Sequence, residues 1–381
     1  MAKLGEFCVQ ITDGSHNPPS GVEQSEYLML SSKNIDDDII TTDSPRFLSD
    51  SDYIVENKRT NVNEGDLLMT IVGTIGRVAI VPQELEGICL QRSVAVIKPN
   101  RKAINNRYLM YQLQNMRPFL EKEARGVAQK GIYLKQVGQL NIRVPELAQQ
   151  EQIVKVLDKV SVLISLRKQQ LAKLDELVKA RFVEMFGDPV KNTMDWEIKP
   201  LSELGELNRG VSKARPRNSP ELLGGPYPLI QTGEVANAKT YITSFNSTYS
   251  EKGLAQSKMW PKGTLCITIA ANIAQTSILT FDACFPDSVV GFISRNMTNE
   301  LFIHYWFSFF QKILDEQAPQ VAQKNINLKI LSELNVIVPP LSLQNRFAAF
   351  VERVDQQKRT VLQSLEKLEL MKKALMQEYF G

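Results

Sequence analysis

The sequence predicts an α/β (α+β) protein built twice over. Two similar globular units, 1–146 and 188–339, are each followed by a long helix, 147–187 and 340–381, and the helices pair antiparallel as a coiled coil. Three observations predict this. Ile153, Leu157, Val160, Ile164, Arg167, Leu171, Leu174, Val178, Arg181 and Met185 follow the alternating 4-3 spacing of a heptad seam, with eight of the ten apolar. The same seam returns 194 positions later as Phe347, Val351, Val354, Lys358, Val361, Leu365, Leu368, Lys372, Leu375 and Tyr379, again eight apolar in ten. The match between the copies is ungapped from Val127-Ala128-Gln129-Lys130 (Val321-Ala322-Gln323-Lys324) to Phe186-Gly187 (Phe380-Gly381), loops and strands included. Two unrelated amphipathic helices would not hold one register through loop positions, so the chain is an internal duplication.

Taken in order, the first unit opens with a short strand, Phe7 to Ile11, and the turn-rich stretch TDGSHNPPSG. Asp36-Asp37-Asp38 reads as a solvated loop. Gly65-Asp66 starts a β-rich run that Gly73 and Gly76 bend into a second strand, and GICLQRSVAVIKPN gives another. Asn105 to Glu123 is helical, with Leu109, Leu113 and Met116 on one face, and 126–145 returns as strand. Pro145 ends it, and Gly187-Asp188-Pro189 stops the helix that follows. A helix of about 35 residues rises roughly 50 Å, more than either unit's core requires, so it is expected to act as a spacer.

The second unit repeats the order with looser sequence. Leu67, Thr70, Ile71, Ile75 and Ile80 recur as Leu265, Thr268, Ile269, Ile273 and Ile278, while Gly73 and Gly76 become Ala271 and Ala274. CFPDSVVGFISRN parallels CLQRSVAVIKPN, and 301–316 replaces the 108–122 helix. A shared scaffold with diverged loops is what two readers of different targets require.

Bulk properties narrow the function. The chain has 381 residues, 43% hydrophobic and 23% charged, with a net charge of +3, so any nucleic-acid surface must be local. Cys8, Cys89, Cys266 and Cys284 form no CxxC pair, and with only His16 and His304 no metal site is expected. Cys89 and Cys284 hold matching places and read as buried thiols. No signal-peptide pattern and no apolar run near 18 residues is present; LFIHYWFSFF at 301–310 reads as a buried helix. A reducing cytoplasm and no membrane association are the expectation.

No catalytic motif survives inspection. Asn17-Pro18-Pro19-Ser20 lacks the aromatic of the Asn-Pro-Pro-aromatic loop with which amino-methyltransferases stack a flipped base, and no glycine-rich cofactor loop occurs. Glu197-Ile198-Lys199 lacks an upstream Pro-Asp for a nuclease site. GTIG at 73–76 could offer amides to a phosphate but serves equally as a hairpin bend. No P-loop is present. Other segments have the character of DNA-contact surfaces. These are Ser15, His16 and Asn17 in the proline turn, Arg77 past the GTIG bend, Gln91 and Arg92 at a strand edge, and Lys130 and Tyr133 before a strand. In the second unit they are the basic run Arg209, Lys213, Arg215 and Arg217, with Gln275, Lys324 and Asn327.

The whole chain resembles the specificity subunits of type I restriction–modification systems. The resemblance rests on ITDGSHNPP, GDLLMTIVGTIG, QRSVAVIKP and VAQKGIYLKQVGQLNIRVPELAQQEQIV, in that order, with a long helix closing each copy. It implies two target-recognition domains, 1–146 and 188–339, each reading half of a split double-stranded DNA site. It also implies that the helices dock two modification subunits, which hold S-adenosylmethionine and perform adenine methylation, and that restriction subunits can join; this chain itself would carry no cofactor and no catalysis. GVSKARP replaces DGSHNPP in the second unit, which leaves its contacts less defined. Two units at the ends of a stiff helical pair would meet half-sites about one helical turn apart or more. The residues leave open an unrecognised methyltransferase or nuclease, a related type II-like modification subunit, and a coiled-coil scaffold.

Overall fold

Four consecutive buried residues, Leu67, Leu68, Met69 and Thr70, set the centre of the first unit. A strand with no wet face must be covered on both sides. In a computed structural model, which describes residues 1–124, 131–270, 273–310 and 326–381, that strand lies inside an antiparallel sheet in the order Cys8–Asp13, Val94–Pro99, Leu67–Thr70, Val78–Ile80. One face, with Leu67, Met69, Ala95 and Ile97, packs on Tyr108, Leu109 and Leu113 of a helix and on Ile153 and Leu157 of the first long helix. The other face, with Leu68, Val94 and Val96, packs on Leu30, Ile35 and Leu90. A second small sheet, Arg46–Phe47, Leu28–Leu30, Cys89–Leu90, supplies that cover. Each large side chain buried in these layers contributes roughly 1.5–3 kcal/mol.

The chain divides into two units, residues 1–168 with 363–381, and residues 169–362. The second repeats the plan of the first. Its main sheet runs Gly205–Arg209, Val289–Ser294, Leu265–Thr268, Thr276–Leu279, Tyr241–Ile242. Leu265 and Ile267 face Phe182, Phe302, Trp306 and Phe347, while Cys266 and Val289 face Ile230, Trp260 and Phe285. The duplication extends to strand register. Met29 pairs in parallel with Cys89, and Leu229 pairs in parallel with Cys284, both cysteines being fully buried. Ala2 and Lys3 pair with Ile142 and Asn141, as Ile198 to Pro200 pair with Ile337 to Asn335.

The two long helices are Leu147–Phe186 and Leu341–Phe380. In the first unit, Ile153 and Leu157 share a core with Met376 and are joined by Leu375, Tyr379 and Phe380, and Arg167 Nε donates to Ser364 Oγ at 3.2 Å. In the second, Val178, Phe182 and Phe186 pack on Phe347, Val351 and Val354, and Lys358 Nζ lies 2.6 Å from Asp175. Within each unit the two helical segments therefore run antiparallel. Of the remaining seam positions, Val160 and Val361 are buried, while Ile164, Leu171, Leu174, Leu365 and Leu368 are half-buried.

Each long helix is locked to its unit by one buried glutamine. Gln150 Oε1 accepts from Asn105 N, and its Nε2 donates to Pro145 O at 2.7 Å and Ala103 O at 3.4 Å. Gln344 Oε1 accepts from Thr298 Oγ1, and its Nε2 donates to Pro339 O at 2.8 Å and Met297 O at 3.0 Å. Both side chains are fully enclosed, so the amide supplies the partners that buried loop groups cannot obtain from water.

Three expectations are corrected. Among the described residues of the 126–145 segment only Asn141–Ile142 is a strand; Leu134–Gly138 is a short helix, because Leu134, Val137 and Leu140 recur at helical rather than alternating spacing. Residues 125–130 lie outside the described set. The 105–123 helix is two helices, Asn106–Asn115 and Arg117–Glu123, the break falling where Pro118 enters and removes an amide donor. Asp36–Asp38 is no solvated loop but a pinned hairpin. Asp37 is paired with Arg117, Asp38 receives Gln114 Nε2 at 3.3 Å and lies 3.8 Å from Lys372, and Arg77 approaches Asp36 at 3.6 Å.

Candidate nucleic-acid interface

The first unit gathers several candidate residues around one backbone clip. Past the strand Cys8–Asp13, Gly14 N donates to Val94 O at 3.2 Å, Ser15 N to Leu90 O at 2.7 Å, and Arg92 N to Ser15 O at 2.9 Å. Gly14 is required by this closeness: a Cβ there would stand 2.1 Å from Leu90 O. Ser15 is buried by the clip, while His16, Asn17 and Arg92 are exposed beside it and Gln91 is half-buried. His16 Nε2 sits 2.9 Å from Asp13 Oδ2. Asp13 in turn is gripped by Arg59, whose Nε donates to Asp13 O at 2.9 Å and whose Nη2 meets the carboxylate. Pro18 and Pro19 direct their carbonyls at Arg46. The proline turn is thus tied down at both ends, and its exposed side chains stand on a fixed base.

The GTIG segment is a hairpin bend. Gly73 and Gly76 have φ of 83° and 80°, in the left-handed region that favours glycine. Arg77 follows, its N–H donating to Thr70 Oγ1 at 3.0 Å. Gly131 pairs with Val72 at the start of the bend, and Tyr133, 71% exposed, stands two residues further on at the N-cap of a short helix rather than before a strand. In the second unit Gln275 N–H donates to Thr268 Oγ1, also at 3.0 Å, and Ala274 adopts φ 57°. Ala274 N donates to Thr268 O at 2.8 Å as Gly76 N does to Thr70 O, so the closing bond of the bend is kept with alanine in place of Gly76, and exposed Gln275 stands where Arg77 does.

The basic run of the second unit is less free than its composition implies. Gly210 N donates to Val289 O at 2.8 Å, the counterpart of the Gly14 clip, and a Cβ on Gly210 would fall 2.2 Å from Phe285 O. Arg217 Nη2 is 2.6 Å from Asp287, and Arg215 Nη2 is 3.8 Å from the same carboxylate. Arg215 Nη1 also donates to Ser212 O at 2.7 Å and Ala214 O at 2.8 Å. Arg209 and Lys213 are exposed and, among the described residues, have no side-chain partner; Arg92 shares that state in the first unit. Asn327 caps the helix Leu328–Glu333, its Oδ1 accepting from Ile330 N at 3.0 Å. Lys130 and Lys324 lie outside the described residues. The basic pattern of the sequence does not reveal the acids Asp13 and Asp287 or the grip of Arg59. The one available signal was that Asp287 falls where the first copy has Arg92.

Among the described residues no group of three or more His, Cys, Asp or Glu could hold a metal, and no helix is long and apolar enough to cross a membrane.

Comparison with known proteins gives one consistent result. A family model described as the type I restriction modification DNA specificity domain matches residues 31–176 and again 193–370. A specificity subunit assigned to the type I restriction enzyme MjaX of Methanocaldococcus jannaschii is 24% identical over 331 residues, 82% of this chain and 76% of that one. The type I restriction enzyme EcoBI specificity subunit of Escherichia coli is 30% identical over 151 residues, 38% of this chain and 31% of that one. The crystal structure of a type I restriction–modification S subunit from M. genitalium superposes with a TM-score of 0.58 at 14% identity, covering 100% of this chain and 95% of that one, a likeness of fold.

Proposed function

The chain belongs to the type I restriction modification DNA specificity family and is a specificity subunit of such a system, and from that premise we propose how its two units divide the work. Each unit reads one part of an interrupted double-stranded DNA site. The observation that carries this is one buried frame built twice under different exposed side chains. Gly14 and Gly210 make the same backbone bond to the facing strand, Thr70 and Thr268 hold the same bend, and on that frame Arg77 is exchanged for Gln275 and Arg92 for Asp287. A constant scaffold with altered hydrogen-bonding groups is the chemistry of two readers with different targets.

In this reading the chain performs no catalysis. Two modification subunits dock on the long helices, hold S-adenosylmethionine and transfer the methyl group, and restriction subunits can join them. A structural relative described in terms of complex assembly of the type I restriction–modification system supports association with such subunits. The recognition role predicts salt-sensitive binding, since each phosphate contact releases counterions. The test is to co-express the full chain with its modification subunit and map methylated adenines genome-wide. A two-part motif that disappears when this chain is omitted is the expected result. Methyl transfer by the isolated chain would overturn the non-catalytic assignment, and methylation without a two-part motif would overturn the division of work.

A further inference from the structure

The turn after each buried cysteine strand has the same backbone and opposite charge. In the first unit Val94 N donates to Gln91 O at 3.0 Å, and in the second Val289 N donates to Pro286 O at 3.0 Å. The second place of the turn is Arg92 in one and Asp287 in the other. Arg92 is exposed and unpartnered among the described residues. Asp287 holds Arg217, whose Nη2 lies 2.6 Å from Oδ1 and 2.8 Å from Oδ2. Among the described residues Arg217 has no other hydrogen-bond or ion-pair partner, so the second Nη2 hydrogen and those of Nε and Nη1 are uncommitted, and its side chain is 43% exposed. A free arginine spends rotamer freedom when it meets a target. An arginine already anchored through one nitrogen does not, and its planar fork then points in one direction.

Resting on the reading of the second unit as a half-site reader, we infer that Asp287 is a positioning residue that sets specificity. It fixes the guanidinium of Arg217 so that the second Nη2 hydrogen, with the parallel N–H of a neighbouring nitrogen, meets two acceptors on one base edge. O6 and N7 of guanine in the major groove present that pattern, whereas adenine offers one acceptor and one donor. Arg92, lacking an anchor, suits the less directional task of meeting phosphate. The exchange of Arg for Asp at this turn therefore converts a charge contact in one half-site into base selection in the other.

The experiment uses the full chain co-expressed with its modification subunit. Methylation mapping with the unaltered chain defines the motif; binding is then measured on duplexes with each base pair of the second half changed in turn. Asp287→Ala and Arg217→Lys should both lose discrimination at one and the same G·C pair, by about 5- to 150-fold, with the first half unchanged. Asp287→Asn keeps an oxygen facing Nη2 and should retain part of it. Arg217→Lys keeps the charge and the ion pair, so it reports on the fork even where Asp287→Ala disturbs the turn. Unchanged discrimination in Arg217→Lys, or a loss spread evenly over both halves, would overturn the inference. If the unaltered chain directs no two-part motif at all, the half-site reading itself fails.

Discussion

At the scale of single residues, the free cations and the buried histidine make separate demands. Arg92 and Lys213 stand exposed on different units and, among the described residues, have no carboxylate to neutralise them. Arg92→Ala should weaken engagement of one half-site and lower the salt slope by about one, while Lys213→Ala should do the same for the other half. Binding to duplexes carrying each half alone, across a salt series, checks this; both variants weakening the same half equally would contradict it. His304 answers to pH instead. Burial, helped by the nearby Lys358 charge, pushes its pKa down to about 4, with Nδ1 2.9 Å from Thr276 Oγ1. The unfolded imidazole takes up a proton near pH 6.5 and the folded one resists until about 4. Stability is therefore lost as pH falls through that window and is fully present above it. Comparing denaturation midpoints of the natural chain and His304→Gln between pH 7 and 4 should show a steeper decline in the former.

At the scale of elements, the glutamine locks carry a clear expectation. Gln150→Leu leaves Asn105 N and the carbonyls of Pro145 and Ala103 without that side-chain partner, and Gln344→Leu does the same around Pro339 and Met297. Each change should cost about 2–4 kcal/mol, since stranding a buried polar group costs roughly 1–3 kcal/mol. Hydrogen exchange should show the loss in the first unit for one variant and in the second for the other. These locks were visible in the sequence only as recurring letters, whereas the long helices were readable as elements because a seam repeats every seven residues. The Asp37–Arg117 pair was not readable: its partners lie 80 positions apart, and a run of three acids looks the same whether solvated or pinned. The interface was half readable for the same reason. Exposed cations could be listed from composition, but Asp287 neutralises Arg217 from 70 positions away. The short helix 134–138 was lost because five residues carry too little periodicity to outweigh a neighbouring strand.

At the scale of the whole molecule, the duplication makes a testable substitution possible. Residues 169–187 are the repeat counterparts of 363–381, so Phe182 and Phe186 correspond to Met376 and Phe380. A fragment ending at Gly187 loses the 363–381 segment that packs on Ile153 and Leu157. It retains the repeat counterpart of that segment, which cannot fold back on its own continuous helix but can pack on a second molecule. Residues 1–187 should therefore form a homodimer, because each large apolar side chain reburied contributes roughly 1.5–3 kcal/mol. With the modification subunit, that dimer should methylate an interrupted palindrome repeating the first half of the natural site. Sedimentation and methylation mapping decide it; a monomer, or a motif without symmetry, would rule it out.

The division of the chain also bears on the order in which it acquires structure. One unit is drawn from a single continuous stretch, 169–362, while the other joins 1–168 to 363–381. Contacts such as Arg167 to Ser364 and Arg143 to the Tyr379 carbonyl span 197 and 236 positions. Closing so long a loop delays the contacts that reward it, and folding slows as contacts become less local. The stretch that leaves the ribosome first is thus the one whose core is sealed last. Refolding followed by pulse-labelled exchange should protect Val290 and Phe302 early, and Leu157 and Met376 in a later phase.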